Sequence, residues 1–205
     1  RCGELSYSRD KDFFYATPRE NESLDIHYRE LALVSHRIEG TPSTKRFEAW
    51  GPLVATLSNP ATNAPPTDAT VIRCSRKMVA DGGSALTTFS GNVSLQQGEM
   101  QLDGDEMELH FETLPPELEH TRLSAHGHVR GAQPSKSIAF SGDHLHYSKR
   151  EDLLYISASG PRWASVEHPE GRVRSKHIDL HISRGQISAR GESFLDLTFK
   201  GTEKP

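Results

Sequence analysis

The feature that most constrains this chain is that it repeats itself. Laid over its own later part, Leu5-Ser-Tyr7-Ser-Arg9 falls on Leu145-His-Tyr147-Ser-Lys149, and at the same offset Asp12-Phe-Phe-Tyr15 falls on Asp152-Leu-Leu-Tyr155. The best-written copy is Phe140 to Gly160: a strand, a charged turn at Ser148-Lys149-Arg150-Glu151-Asp152, a second strand, then a small residue two places before a glycine. The glycine recurs at Gly51, Gly91, Gly127, Gly160 and Gly191, each interval a little shorter than the one before, with alanine two places ahead of it in every case but Gly91, where Phe89 stands. Spacing drifts while each unit keeps its register, so insertions are confined to loops. A unit of this kind cannot bury its own apolar face and must stack on its neighbours.

The units are strands. Leu24-Asp-Ile26-His-Tyr28, Met107-Glu-Leu109-His-Phe111 and Ile178-Asp-Leu180-His-Ile182 alternate apolar with polar residues, the period of a sheet with one buried face. No segment sustains apolar residues at helical spacing, and Leu31 to Ile38 is the only stretch where a short helix is arguable. With 34% hydrophobic residues and a mean hydropathy of -0.62, the interior is thin, which suits short strands with one wet face. The expected fold is all-β: two stacked antiparallel sheets growing side by side around an apolar interior. One elongated domain is expected over 1–200, with a Pro-rich loop at about 57–70, an insertion at about 113–120 and a tail at 201–205. The recurring glycine marks a tight bend where the chain changes sheet. Each end of such a stack leaves an open strand edge, and an exposed edge recruits another strand.

Composition excludes some partners. The 24 basic and 28 acidic residues are interspersed, with a net charge of -4, so there is no basic stripe for nucleic acid. No apolar run approaches the roughly 20 residues of a membrane-spanning helix. The chain opens at Arg1 inside a repeat, which is expected where processing has removed an upstream segment.

Gly104-Asp-Glu-Met107-Glu-Leu109, Gly142-Asp-His-Leu145-His-Tyr147, Ala125-His-Gly127-His-Val129 and Phe89-Ser-Gly91-Asn-Val93 share a pattern, G-D-x-[LM]-x-[YF], charged turn, apolar pair, A-x-G-x-V. It resembles the OstA-like family of lipopolysaccharide-transport proteins, which includes LptA, LptC and the amino-terminal domain of LptD. The match runs from about Cys74 to Gly191; the ordered recurrence of short motifs carries it. The resemblance implies a twisted, incompletely closed β-jellyroll, or β-taco, whose apolar groove shields acyl chains of lipopolysaccharide or a similar lipid. It also implies a periplasmic location, tethered to a membrane only through other segments, and end-to-end stacking with copies of itself or related jellyroll domains into a bridge. No cofactor and no catalytic group follow from it.

The residues expected to line such a groove are Val93, Leu95, Met107, Leu109, Phe111, Leu123, Val129, Leu145, Tyr147, Leu154, Ile156, Ile178, Leu180 and Ile182. The competing reading is a structural or carbohydrate-binding β-solenoid in which the same residues fill a closed core; the width of the space between the sheets separates the two. Eleven histidines raise the question of metal. His126 with His128, and His144 with His146, have the i, i+2 spacing that places two imidazoles on one strand face. They alternate with the apolar set and so face solvent, where isolated surface histidines are the expectation and no metal site is assigned. Asp103 and Asp105 read as residues of a glycine-containing turn rather than as the carboxylate pair of a polysaccharide-cleaving β-helix. Cys2 and Cys74 fall at similar places in their units. With one unit between them they stand about 9.5 Å apart, beyond the reach of a disulfide.

Overall fold

The computed structural model describes residues 3–20, 22–28, 31–57, 69–111 and 121–197. The strands are β1 Glu4–Ser8, β2 Phe13–Thr17, β3 Leu24–Tyr28, β4 Leu31–Ser35, β5 Arg37–Thr41, β6 Arg46–Trp50, β7 Leu53–Leu57, β8 Thr70–Cys74 and β9 Lys77–Asp81. Longer strands follow: β10 Leu86–Gln97, β11 Met100–Phe111, β12 Thr121–Gln133 and β13 Ile138–Ser148. The chain then continues through β14 Leu153–Ser157, β15 Ala164–His168, β16 Gly171–His181 and β17 Gln186–Leu197. The described residues form no α-helix. Leu31 to Ile38, the stretch with helical character, is divided between β4 and β5, which meet at His36.

The pairings resolve into two antiparallel layers. One runs β1, β2, β5, β6, β9, then the first half of β10, the second half of β11, the first half of β12, the second half of β13, then β14, the second half of β16 and the first half of β17. The other runs β3, β4, β7, β8, the complementary halves of β10 to β13, then β15 and the remaining halves of β16 and β17. The long strands thus belong to both layers and join them along one side, the spine. Every hairpin turn among the described residues lies on the opposite side, where the two layers present facing lips. A single apolar cluster takes residues from both layers, as two sheets packed face to face require.

The spine corners follow a rule of phase. Strands passing from the first layer to the second (β10, β12, β17) keep their inward residues four apart, as in Phe89 to Val93 and Ala125 to Val129. They do so through a left-handed glycine: Gly91 at φ 86°, Gly127 at 70°, Gly191 at 90°. A Cβ at Gly91 would stand 2.7 Å from the Cβ of Arg76, so both conformation and space demand glycine there. Strands returning (β11, β13, β16) step three, as in Leu145 after Gly142 and Ile178 after Ser175, with no left-handed residue at the bend. The small-x-Gly ending is therefore the outward corner, as the sequence leads one to expect. Asp103 and Asp105 correct that reading: they sit at a return corner within continuous β11, not in a turn.

The internal repeat holds to the residue. The offset that places Leu5 on Leu145 carries β1 to β7 onto the second half of β13, β14, β15, both halves of β16 and both halves of β17. It also carries a lip contact: the Asp12 carboxylate accepts from the Ser43 amide at 2.9 Å, and that of Asp152 accepts from the Ser183 amide at 3.0 Å.

Candidate functional site

Each layer lays its inward side chains in rows that run the length of the molecule. The spine-side row of the first layer passes through Leu5, Ala16, Ile38, Ala49, Met78, Phe89, Met107, Ala125, Leu145, Ile156, Ile178 and Ala189. Period-two alternation selects these residues, and antiparallel register aligns them. The rows are packed shut along the spine, with Met107, Ile156 and Ile178 fully buried. They open at the lips. A narrow cleft lies between the layers, lined by Leu95, Leu109, Leu123 and Tyr147 together with Leu57, Thr70, Gln97, Met100, Thr121 and Lys149. Burial pushes the Tyr147 phenol above its usual pKa, and the Asp152 carboxylate adds to the shift. Tyr147 is therefore a neutral, half-buried ring at the mouth, with the Lys149 ammonium on the rim. Farther along, the lips touch: Lys136 Nζ, from the turn after β12, donates to the carbonyl of Ile182 at 2.8 Å.

The expected groove residues divide accordingly. Leu95, Leu109, Leu123 and Tyr147 line the cleft. Val93, Met107, Val129, Leu145, Leu154, Ile156, Ile178 and Leu180 are buried in the closed part, and Phe111 and Ile182 pack against its margin. The expectation missed Leu57, Thr70, Gln97, Met100, Thr121 and Lys149. Leu57 ends the alternation Leu53-Val-Ala55-Thr-Leu57 and was legible; Gln97 and Lys149 look like turn residues and were not.

Both ends of the trough are apolar and uncovered. Leu5 is 67% exposed and Tyr7 59% on β1, while Leu195 is 61% and Leu197 54% on β17. All four occupy inward positions of the rows, paired with Ala16, Phe14, Val173 and Gly171. They are exposed because the stack stops, not because they face outward.

His126, His144 and His146 lie on the outer face of the first layer, and His128 lies at its corner. The Gly127 corner separates His126 from His128, so the two do not share a face. His128, left-handed at φ 48°, sends Nδ1 to within 2.8 Å of Asp105 Oδ2. His144 and His146 do share a face, and each meets a side chain of β12 instead: His126 at 3.0 Å and Ser124 at 3.2 Å. Among the described residues no group of three or more His, Cys, Asp or Glu side chains is gathered for a metal. Cys74 is a buried free thiol whose pKa is raised by that burial; Cys2, its partner in the disulfide argument, lies outside the described residues.

Two layers joined at a spine, open at the lips and apolar at both ends, define the class: a β-jellyroll trough. Comparison with known proteins gives the family. The family described as LptA/(LptD N-terminal domain) LPS transport protein matches residues 74–186. The chain belongs to that family, and the resemblance carried by its Gly-Asp and Ala-x-Gly motifs is confirmed. Among solved structures, LptH of Pseudomonas aeruginosa, described as the LptA-homologous periplasmic component of the conserved lipopolysaccharide transport device, superposes with a TM-score of 0.52 at 13% identity. The alignment covers 64% of this chain and 95% of that one. The likeness extends the fold assignment beyond sequence similarity. No curated protein matches the chain.

Proposed function

We propose that this protein is a periplasmic, non-enzymatic module of lipopolysaccharide transport that holds acyl chains between its layers and passes them along its length. The observation that carries the reading is that inner rows reach both ends of the stack uncovered: two rows of the first layer begin at the exposed Leu5 and Tyr7 on β1, and the second layer ends on β17 with the exposed, inward-placed Leu195 and Leu197. Rows that end exposed at both mouths suit a conduit continued by a neighbour. Each methylene buried there contributes about 0.8 kcal/mol, so a few acyl chains bind without any polar anchor. The cleft at Leu109 and Tyr147 is where such a chain enters. The groove then deepens toward Val93, Met107, Phe111, Val129, Leu145, Leu154, Ile156, Ile178, Leu180 and Ile182 as the lips part. The uncovered β1 and β17 edges would pair with another copy or with related jellyroll domains.

A photo-crosslinking residue at Leu109 tests this in cells that make lipopolysaccharide. The expected result is a lipopolysaccharide adduct at Leu109 and none at the outward neighbour Glu108. No adduct at Leu109, or equal capture at both, supports the filled-core alternative, which the closed packing along the spine favours. For stacking, mass in solution should rise with concentration, and Leu195→Lys with Leu197→Lys should hold the chain monomeric.

A further inference from the structure

The outer face of the first layer carries a paired side-chain arrangement that lipid handling does not use. His126 on β12 and His144 on β13 are direct cross-strand partners. Their Nδ1 atoms stand 3.0 Å apart, with the rings edge to face at a centroid distance of 5.3 Å. Two neutral imidazoles meeting through the same nitrogen can place only one proton between them. A cation placed there uses both lone pairs, with each ring carrying its proton on Nε2. With metal–nitrogen bonds of about 2.0–2.1 Å, a 3.0 Å separation subtends roughly 90° at the metal. That is the cis angle of a square-planar or tetragonal ion, narrower than the tetrahedral angle zinc prefers.

We infer that His126 and His144 form a two-point chelate for a copper(II)-type divalent cation, on the outside of the trough and independent of its lipid. The pair sits in one row with Glu106 on β11, opposite His126, and Ser157 on β14, opposite His144. Because no third His, Cys, Asp or Glu of the described residues converges on it, the remaining coordination positions belong to water or to an outside donor. Bound there, the cation bonds β12 to β13 in the middle of the layer.

Titration of the full chain with copper(II) sulfate in chelator-free buffer, read by calorimetry and electron paramagnetic resonance, tests the assignment. One ion per chain should bind, with hyperfine structure from two imidazole nitrogens. His126→Asn and His144→Asn should each weaken that binding at least tenfold, while His128→Asn and His146→Asn leave it within twofold. Copper should raise the melting temperature of the wild type and not that of His126→Asn. Circular dichroism of each variant confirms that the outward substitutions leave the fold in place. The assignment is overturned if no one-to-one site appears, if it survives both His126→Asn and His144→Asn, or if His128→Asn or His146→Asn abolishes it equally.

Discussion

The first seven strands and the last stretch from β13 to β17 are the same object at a constant offset, yet equivalent positions differ sharply in exposure. Leu145 is 2% exposed and its counterpart Leu5 is 67%; Leu57 is 9% exposed and its counterpart Leu197 is 54%. Nothing local distinguishes the members of each pair, for both are leucines at inward positions. What differs is the neighbour. The carboxy-terminal copy has β12 beside its first strand, and the amino-terminal copy has β8 and β9 beside its last. Each copy lacks the cover that the other has. The comparison teaches that burial here is a property of the stack rather than of the unit, and that the two uncovered edges complement what the interior already does with itself.

The sharpest way to break that comparison is to truncate one leucine in each copy. Leu145→Ala should cost about 2–5 kcal/mol through lost transfer energy and a cavity, and Leu5→Ala less than about 0.5 kcal/mol in the monomer. Urea denaturation reads both, and similar losses would mean that the end of the trough is covered in solution.

A second difference is polar. Asp143 takes the place that Gly3 holds in the first copy. Its carboxylate accepts from the Ser159 amide at 2.8 Å and pairs with Arg162 at 3.0 Å. These contacts, the amide first, hold its pKa below the usual carboxylate value. A lowered folded-state value means that the stabilisation is complete above the unfolded pKa of about 3.9 and is lost as pH falls through the folded value. Asp143→Asn should therefore cost about 1.5–3 kcal/mol at pH 7, with the gap to wild type closing below pH 4. A gap that stays constant on acidification would remove the charge from the explanation.

Smaller effects separate the corners. Gly51 and Gly191 have φ of 91° and 90°, so alanine strains both by about 1 kcal/mol. Only at Gly51 does a Cβ also meet a side chain, His36, at 3.1 Å; Gly51→Ala should lower the melting temperature more than Gly191→Ala. Smallest are the lip contacts. Asp152 bonds both the amide and the hydroxyl of Ser183, whereas Asp12 bonds the Ser43 amide. Asp152→Ala should thus exceed Asp12→Ala by about 0.5–1 kcal/mol, resolved by paired chemical melts.

The sequence announced the inner rows because alternation is written in each strand: Met107, Leu109 and Phe111 on one side, Glu108 and His110 on the other. Its recurring glycines announced the outward corners, since no other residue tolerates that bend as readily. The return corners were silent. A three-residue step from Gly142 to Leu145 leaves no composition mark, so Asp103 and Asp105 passed for a turn; His126 and His128 passed for neighbours on one face because the two-residue alternation was carried straight across the outward corner at Gly127. The facing of His126 and His144 depends on the register of β12 against β13, and distance along the chain encodes no register. Nor does an alternating pattern say where stacking ends, so nothing in the sequence marks Leu5 and Leu195 as exposed.

The alternation of four-residue and three-residue steps at the spine has a consequence for how such a chain tolerates change. Each corner shifts the alternation by a fixed step, so which side chains face in on the far side depends on that count. Lip turns, lying outside this counting, are free to vary in length. A gain or loss is therefore absorbed cheaply at a lip or taken as a whole pair of crossings. A single residue added at a corner, between Ser90 and Val93 for example, would turn half a strand inside out.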